Sequence, residues 1–196
     1  MNHKLLEITA RHEAAHAVAA YLVYMPATSL SANSDGTGLC EGSNDCLDAQ
    51  ASLRIALAGP ASDLNFKYRR LHFLECCALT SPGSDMWQAR EILSARIDLR
   101  LKLRNGKIKQ LDVYDGVSMH LEKTCAMLLP FVPYIEKLGS KLAESRWLSA
   151  KQVESWLVDN LNPVVDSLED RLHAVHGRRG DFIATRELRP KRKRAA

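Results

Sequence analysis

The sequence predicts a mainly α-helical protein with a small β-hairpin, or short sheet, next to its first helix. Two observations lead to this fold class. Apolar residues recur at helical spacing through most of the 196 residues, and clusters of Pro, Gly, Asn and Asp divide the chain into helix-length segments. In one early stretch, β-compatible residues flank the turn cluster Asn33-Ser34-Asp35-Gly36. We therefore expect a helical domain that carries one hairpin.

The first predicted helix runs from about Leu5 to Tyr24, because its Ala-rich sequence is strongly helix-forming and Pro26 cannot continue it. The hairpin is expected over residues 27–40. Further helices are predicted over residues 47–58, 61–71, 85–103, 111–129, 131–145, 150–160 and 164–175.

Short local signals set the boundaries of these later helices. Gly59-Pro60 separates the second helix from the third, and Ser84 or Asp85 is the expected N-cap of the helix over 85–103. A turn is expected at Asn105-Gly106. Ser149 to Gln152 has the form of a capping box, and Pro163 is expected to end the helix that this box begins.

Composition indicates a globular chain with a charged tail. Hydrophobic residues make up 46% of the sequence and charged residues 26%, as is typical of soluble domains. The formal net charge is +4, but six basic residues and one acidic residue fall within residues 186–196. We predict a folded domain over residues 1–162, a further helix over 163–176, and a basic, disordered tail over 177–196. Nucleic-acid association is expected only through that tail.

Several classes of protein are disfavoured. The five cysteines are odd in number, show no C-x-x-C spacing and follow no secretory signal, which indicates a reducing cytoplasm. We interpret all five cysteines as small apolar packing residues (Cys40, Cys46, Cys76, Cys77 and Cys125). The alternative is a structural zinc site formed by the first four of them. The longest apolar run, residues 14–27, is shorter than the roughly 20 residues of a membrane span. There is no phosphate-binding loop, so hydrolysis of ATP by that route is not expected.

Residues 12–16, His-Glu-Ala-Ala-His, have the form H-E-x-x-H. On a helix, positions i and i+4 share a face, so His12 and His16 can hold one Zn²⁺ while Glu13 flanks a water that the ion activates. Two histidines that simply hydrogen-bond within a core are the alternative. Because the surrounding Ala-rich helix must be buried, and each unpaired buried polar group costs roughly a few kcal/mol, a metal ion is the favoured partner.

Two histidines leave such a site one protein ligand short, because catalytic zinc usually has three protein ligands and one open position. The third ligand must come from another part of the chain. His, Asp and Glu residues near predicted helix starts are the candidates, and residue chemistry alone leaves five of them open: Asp63, His72, Glu75, Asp85 and His120.

The order of these features resembles the peptidase domain of the FtsH family of zinc metallopeptidases (peptidase family M41) over residues 5–160. The resemblance rests on H-E-x-x-H in an Ala-rich helix, the Gly-containing hairpin, Leu-Ala-Gly-Pro-Ala-Ser-Asp-Leu over residues 57–64, and Pro-Gly-Ser-Asp-Met-Trp-Gln-Ala-Arg-Glu-Ile over residues 82–92. The chain departs from the family pattern at three positions. Ala15 replaces a glycine, Pro60 replaces a basic residue and Ser62 replaces the first acid of a pair.

The resemblance implies that His12, His16 and Asp85 are zinc ligands, that Glu13 is the catalytic carboxylate, and that Asp63 is an outer partner of a ligand histidine. It implies a zinc metalloendopeptidase. Without the family's ATPase module and membrane anchors, we expect ATP-independent cleavage of unfolded or loosely structured polypeptides in the cytoplasm. Expected partners are the polypeptide substrate and either further copies of this chain or a separate ATPase, and no membrane. The alternative is a weakly active or inactive member that binds substrate or regulates a partner.

Overall fold

The computed structural model describes residues 3–25, 28–41, 48–66, 83–96, 100–102 and 108–176. They form a mainly helical fold with a small three-stranded antiparallel sheet, which confirms the predicted fold class. The chain divides into two compact units, Met1–Trp156 and Leu157–Ala196. The residues that build the candidate site all belong to the first unit.

The described helices are α1 (His3–Leu22), α2 (Ala49–Ala56), α3 (Ala58–Asn65), α4 (Asp85–Arg96), α5 (Val113–Leu128), α6 (Val132–Ser145) and α7 (Ala150–His176). A 3₁₀ turn, Leu129–Phe131, connects α5 to α6. The described strands are β1 (Leu30–Ala32), β2 (Gly38–Cys40), β3 (Arg100–Lys102), β4 (Ile108–Gln110) and β5 (Trp147–Leu148).

Helix α1 lies at the centre of the first unit and packs against α2, α3, α6 and the β1–β2 hairpin. Every residue from Glu13 to Tyr21 is buried, and most of them are alanines, which let neighbouring backbones come close. Tyr24 ends the segment in the left-handed region with φ 62°. The predicted helix is therefore confirmed to within two residues at each end.

The predicted hairpin is also confirmed. Strands β1 and β2 pair in antiparallel register, with Ser31 opposite Leu39. In the turn, Gly36 has φ 92°, and the Asp35 carboxylate accepts hydrogen bonds from the Thr37 N–H and hydroxyl. Strand β5, which the sequence analysis did not predict, pairs with the other side of β1, so the strand order is β2-β1-β5. Strand β2 is left at the edge of this sheet.

The break between α2 and α3 lies at Leu57, two residues before the predicted position. Asp48 caps α2, because its carboxylate accepts a hydrogen bond from the Gln50 N–H at 2.9 Å. Gly59 and Pro60 were expected to break the chain but lie in the first turn of α3. A proline is tolerated there because the first N–H groups of a helix have no intrahelical partner.

The prediction of a helix over residues 85–103 is confirmed for Asp85–Arg96 and is wrong at residues 100–102. Residues 100–102 form β3, which pairs antiparallel with β4 in a separate two-stranded hairpin. The sequence carries the signal: from Ile97 to Arg104, apolar and charged residues alternate one by one, and Asn105-Gly106 follows. A period of two is that of a strand, and Asn-Gly is a strong hairpin signal.

The later helices agree with prediction except at Pro163. Asp112 caps α5 through the Asp115 N–H at 2.7 Å. The capping box before α7 is confirmed, with Ser149 N–H donating to Gln152 Oε1 at 2.9 Å and Gln152 N–H donating to Ser149 Oγ at 3.4 Å. The predicted end near Asn160 is wrong, because α7 continues through Pro163 to His176 as one helix. An interior proline removes one backbone hydrogen bond, and the remaining bonds hold this helix together.

Among the described helices, none combines the length and the apolar character needed to cross a membrane. Some predictions fall outside the described residues: the end of the helix predicted over 61–71, His72 and Glu75, three of the cysteines (Cys46, Cys76, Cys77), and the basic tail over 177–196. Cys40 and Cys125 are free thiols.

Candidate metal centre

His12 and His16 lie one turn apart on α1, as the H-E-x-x-H spacing predicts. Their ring centroids are 5.1 Å apart, and the rings meet edge to face at 67°. Both Nε2 atoms point to the same place, the carboxylate of Asp85 on α4. Nε2 of His12 lies 2.7 Å from Asp85 Oδ2, and Nε2 of His16 lies 3.2 Å from the same oxygen.

Asp85 owes its position to the start of α4. Ser84 caps this helix, because its Oγ accepts the Trp87 N–H at 3.2 Å. Asp85 is then the first helical residue, where the positive end of the helix dipole stabilises a carboxylate. The potential ligand atoms of His12, His16 and Asp85 all lie within 4.8 Å of one another, so the group could hold a metal ion.

The other ring nitrogen of each histidine faces an acceptor. Nδ1 of His12 lies 3.2 Å from Asp63 Oδ2, and the Asp63 residue is only 2% exposed. Nδ1 of His16 lies 2.8 Å from the backbone oxygen of Ile55. A carbonyl oxygen or an ionised carboxylate can only accept, so each Nδ1 must carry a proton and donate it. In a neutral ring the Nε2 lone pair then points inward, which is the tautomer that a metal ligand requires.

A proton or a metal ion can satisfy the centre of this arrangement. Two inward lone pairs would otherwise face the lone pairs of the Asp85 carboxylate, and these groups repel unless a proton or a metal ion lies between them. The donor set, two imidazole nitrogens and one carboxylate oxygen, is one that binds divalent transition metals. The residues therefore fit a metal ion on their own chemistry.

The pKa shifts of His12, His16 and Asp85 are consistent with a site that holds positive charge. Burial by itself lowers the pKa of His12, but hydrogen bonds to Asp63 and Asp85 outweigh it and raise the pKa to about 10. Burial also lowers the pKa of His16, but the charge of Asp85 and the hydrogen bond to it together outweigh burial and raise the pKa. In turn, the imidazoles hold the pKa of Asp85 well below its usual range, although burial opposes this. The site thus binds positive charge strongly.

Two glycines make room for the motif side chains. A Cβ on Gly59 would clash with the His12 ring, so α3 can approach α1 this closely only with glycine at that position. A Cβ on Gly38 would lie 2.5 Å from Glu13 Oε1, so β2 can likewise reach Glu13 only because it carries glycine there. Glycine therefore allows α3 to pack closely against His12 and β2 to pack closely against Glu13.

Glu13 differs from the other carboxylates of the site. Its residue is 8% exposed, yet no hydrogen bond or ion pair from the described residues holds its carboxylate. Burial raises the pKa of Glu13, although the nearby His16 and His12 lower it in part. A carboxylate that has no described partner and reaches the cleft, beside a candidate metal site, is available to exchange a proton.

Glu13, His16 and Asp85 open into a cleft of about 950 Å³. Strand β2 forms one wall and α4 forms another. The cleft is lined by apolar residues (Ala20, Met25, Leu39, Ile55, Ala56, Trp87, Ile92 and Ala95) and by polar ones that include Thr28, Cys40, Glu41, Ser52, Gln88 and Glu91. Its size is suited to several residues of an extended peptide or to a small molecule.

The edge of β2 presents unpaired backbone groups to this cleft. The Glu41 N–H donates to Ser29 at 3.1 Å, and the Asn33 N–H donates to Thr37 at 2.8 Å. Hydrogen-bonded pairs alternate along an antiparallel ladder, so Gly38 and Cys40, which lie between them, direct their N–H and C=O groups away from β1. Among the described residues, no strand pairs with this edge.

Of the five residues that could have been the third ligand, Asp85 alone joins the two histidines in the part of the chain that the structure describes. Asp63 contacts the outer side of His12. His120 lies on α5 and is not part of the group. The role of the Ile55 backbone oxygen was not predicted, because a sequence does not show which carbonyl group a side chain reaches. The role of Gly59 was also not predicted, because Gly59-Pro60 was interpreted only as a helix break.

Comparison of the chain with protein-family models, with curated proteins and with solved structures finds no match. The resemblance to FtsH-type peptidases therefore rests on the motifs of the sequence alone.

Proposed function

We propose that this protein is a zinc metalloendopeptidase that cleaves unfolded or loosely structured polypeptides without ATP. One observation carries the proposal. His12, His16 and Asp85 converge although Asp85 is 73 positions from His12 and 69 from His16, while the carboxylate of Glu13, which has no described partner, lies next to them in an open cleft. A group that served only to stabilise the core would be expected to satisfy Glu13 as well.

Zinc is the metal that suits this donor set. Two imidazoles and one carboxylate are a known ligand combination for catalytic zinc, which keeps a further position open for a reactant. Both histidines have acceptors on their outer nitrogens, Asp63 and the Ile55 oxygen, which hold the ring orientation and make the ligands more basic. The group also faces a cleft, as a catalytic site must, rather than being enclosed.

Within the proposed reaction, zinc would act as a Lewis acid that polarises the peptide carbonyl and lowers the pKa of water. Glu13 acts as the general base: a carboxylate oxygen accepts a proton from the attacking water and passes it to the leaving amide nitrogen. Its raised pKa suits this transfer, because a more basic carboxylate takes up a proton more readily at neutral pH. His12, His16 and Asp85 hold their positions and do not exchange protons with the substrate.

The edge of β2 supports a polypeptide as the substrate. Gly38 and Cys40 present backbone donors and acceptors to the cleft, and an extended peptide can pair with them as an additional strand. Gly38 lies against Glu13, so a peptide bound there passes beside the catalytic carboxylate. Only unfolded or loosely structured segments can supply such an extended backbone, which is the reason for the proposed substrate class.

The test compares the wild-type protein with Glu13→Gln and with Glu7→Gln. Glu7 is on the same helix, but it pairs with His3 at the surface, which makes it a matched control. Wild type and both variants are expected to contain about one zinc per chain by elemental analysis. Cleavage of unfolded casein without ATP should fall about 10²–10⁴-fold in Glu13→Gln and remain unchanged in Glu7→Gln.

A zinc-loaded wild type that cleaves no unfolded substrate would contradict the proposal. If such a protein still binds unfolded chains, the result would favour the alternative of a substrate-binding or regulatory protein. Equal cleavage by wild type and Glu13→Gln would instead remove Glu13 from the mechanism.

A further inference from the structure

Outside the candidate metal group, the charged side chains that line the cleft are carboxylates. Glu41 follows β2 directly and Glu91 lies on α4, and the described lining contains no Lys or Arg. The two differ in their partners. Glu91 pairs with Arg90 at 2.8 Å, whereas no described basic side chain pairs with Glu41. Among the described lining residues outside the metal group, Glu41 is therefore a carboxylate without a basic partner.

Glu41 is held in place by the neighbouring strand segment. Its N–H donates to the Ser29 oxygen at 3.1 Å, which extends the β1–β2 ladder by one pair. The Ser29 hydroxyl donates to Glu41 Oε2 at 2.6 Å. The Glu41 carboxylate thus has a fixed position even though it is exposed, so it can act on one position of a bound chain.

Side chains alternate between the two faces of β2, so Leu39 and Glu41 lie on the same face. Gly38 lies against Glu13 of α1, so Gly38 and Cys40 share the inner face of the strand, and Leu39 and Glu41 share the outer face. Leu39 is 52% exposed. When a strand pairs with β2, its side chains lie beside those of the residues opposite them. One side chain of the bound chain would therefore meet Leu39, and the next on that face would meet Glu41.

A separate observation indicates that the cleft accepts a ligand. The Glu13 carboxylate lines the cleft, its residue is more than nine-tenths buried, and no described side chain or backbone group satisfies it. Since Gly38 lies beside Glu13, the reacting peptide bond belongs near Gly38. Positions opposite Leu39 and Glu41 then follow on one side of that bond.

We propose, on the basis of the proposed peptidase function, that the cleft selects polypeptide segments with an apolar side chain beside Leu39 and a Lys or Arg side chain beside Glu41. The two selected residues are separated by one residue and lie on the same side of the cleaved bond. Glu41 is the specificity-determining residue for the basic side chain, and Ser29 positions it.

The test maps the cleavage sites that full-length protein produces in an unfolded protein mixture, using mass spectrometry. Lys and Arg should be enriched about two- to fivefold over Asp and Glu at a single position, with an apolar residue two positions nearer the cleaved bond; this range corresponds to one exposed ion pair. The preference should weaken at high salt, because exposed charges are screened.

Variants assign the preference to Glu41. Glu41→Gln should remove it, Glu41→Lys should reverse it toward Asp and Glu, and Ser29→Ala should reduce it in part. Glu7→Gln, a surface carboxylate on α1, should leave it unchanged. Cleavage that continues with the same basic preference in Glu41→Gln, or with no basic preference in wild type, would overturn the inference and leave the proposed peptidase function standing.

A binding measurement separates this inference from the proposed function. Fluorescently labelled peptides that carry Lys or Glu at the selected position are titrated with Glu13→Gln and with Glu13→Gln/Glu41→Gln by fluorescence anisotropy. Tighter binding of the Lys peptide that is lost in the double variant would support the selection, even if wild type cleaves nothing and the peptidase function fails. Equal binding of both peptides to Glu13→Gln would overturn it.

Discussion

The floor and the wall of the cleft recognise ligands by different physical means. The floor is the group of His12, His16 and Asp85, in which Nε2 of each histidine faces Asp85 Oδ2, and His16 and Asp85 line the cleft. The wall is β2 and Glu41, which offer backbone groups and exposed side chains. Buried charges at close distance interact strongly, whereas exposed charges are screened by water. Changes in the floor should therefore abolish function, and changes in the wall should tune it.

The largest effect is expected for Asp85→Ala. This change removes the group on which both Nε2 atoms converge, and only two protein ligands remain. Zinc affinity should fall by more than the ~10–100-fold that the loss of an outer partner costs. The measurement is a competition titration with a chromophoric chelator. Asp115→Ala, at a surface position on α5, is the control, and undiminished affinity in Asp85→Ala would show that the third ligand lies elsewhere.

Asp63→Asn should have the next largest effect. The change leaves all three proposed ligands in place but weakens the acceptor on His12 Nδ1, so the ring is held less firmly and is less basic. Zinc affinity should fall about 10–100-fold, while one zinc per chain still binds at saturating metal. An affinity equal to that of wild type would show that the Asp63 contact is structural only.

Substitutions at Gly59 and Gly38 test whether the floor and the wall of the cleft have separate roles. Gly59→Ala should displace the His12 ring and so weaken zinc binding, with a destabilisation of about 1–3 kcal/mol from overpacking. Gly38→Ala should press on Glu13 instead, which lowers the rate of cleavage but leaves zinc binding nearly intact. Urea unfolding and zinc titration of both variants make the comparison. An equal loss of zinc affinity in the two variants would show that the floor and the wall do not have separate roles.

A further effect is a pH dependence of stability in protein stripped of zinc. His12 has a pKa of about 10 in the folded chain against an ordinary value of 6.5, so its contribution is complete below pH 6.5 and is lost as the pH rises through about 10. The pKa of Asp85 is lowered from 3.8, so its contribution is present above that pH and is lost as the pH falls.

Thermal unfolding of the stripped protein should therefore show the highest Tm between about pH 4 and pH 6.5. Added zinc should raise the Tm more at pH 8 than at pH 6, because fewer protons then compete with the ion for Nε2. A Tm that is independent of pH from 6.5 to 10 would contradict the assigned role of His12. Asp63→Asn should flatten this alkaline loss.

Features that depend on residues close together in the sequence were predicted correctly. Helix α1, the shared face of His12 and His16, the β1–β2 hairpin and the capping box at Ser149 all depend on residues within a few positions of one another. The errors were local too. The alternating segment before Asn105 was read with a helical period, and Pro163 was given more weight than the helix around it supports.

The sequence by itself determined that two imidazoles and a carboxylate share one turn of a buried helix, because the helical repeat leaves no other arrangement. The resemblance to a peptidase family then suggested Asp85 and Asp63. Only the tertiary structure brings these carboxylates, 73 and 51 residues away, to opposite nitrogens of His12. It also decides that Gly38 and Gly59 lie against Glu13 and His12. Such contacts arise from the packing of separate elements, which the spacing of residues along a chain does not encode.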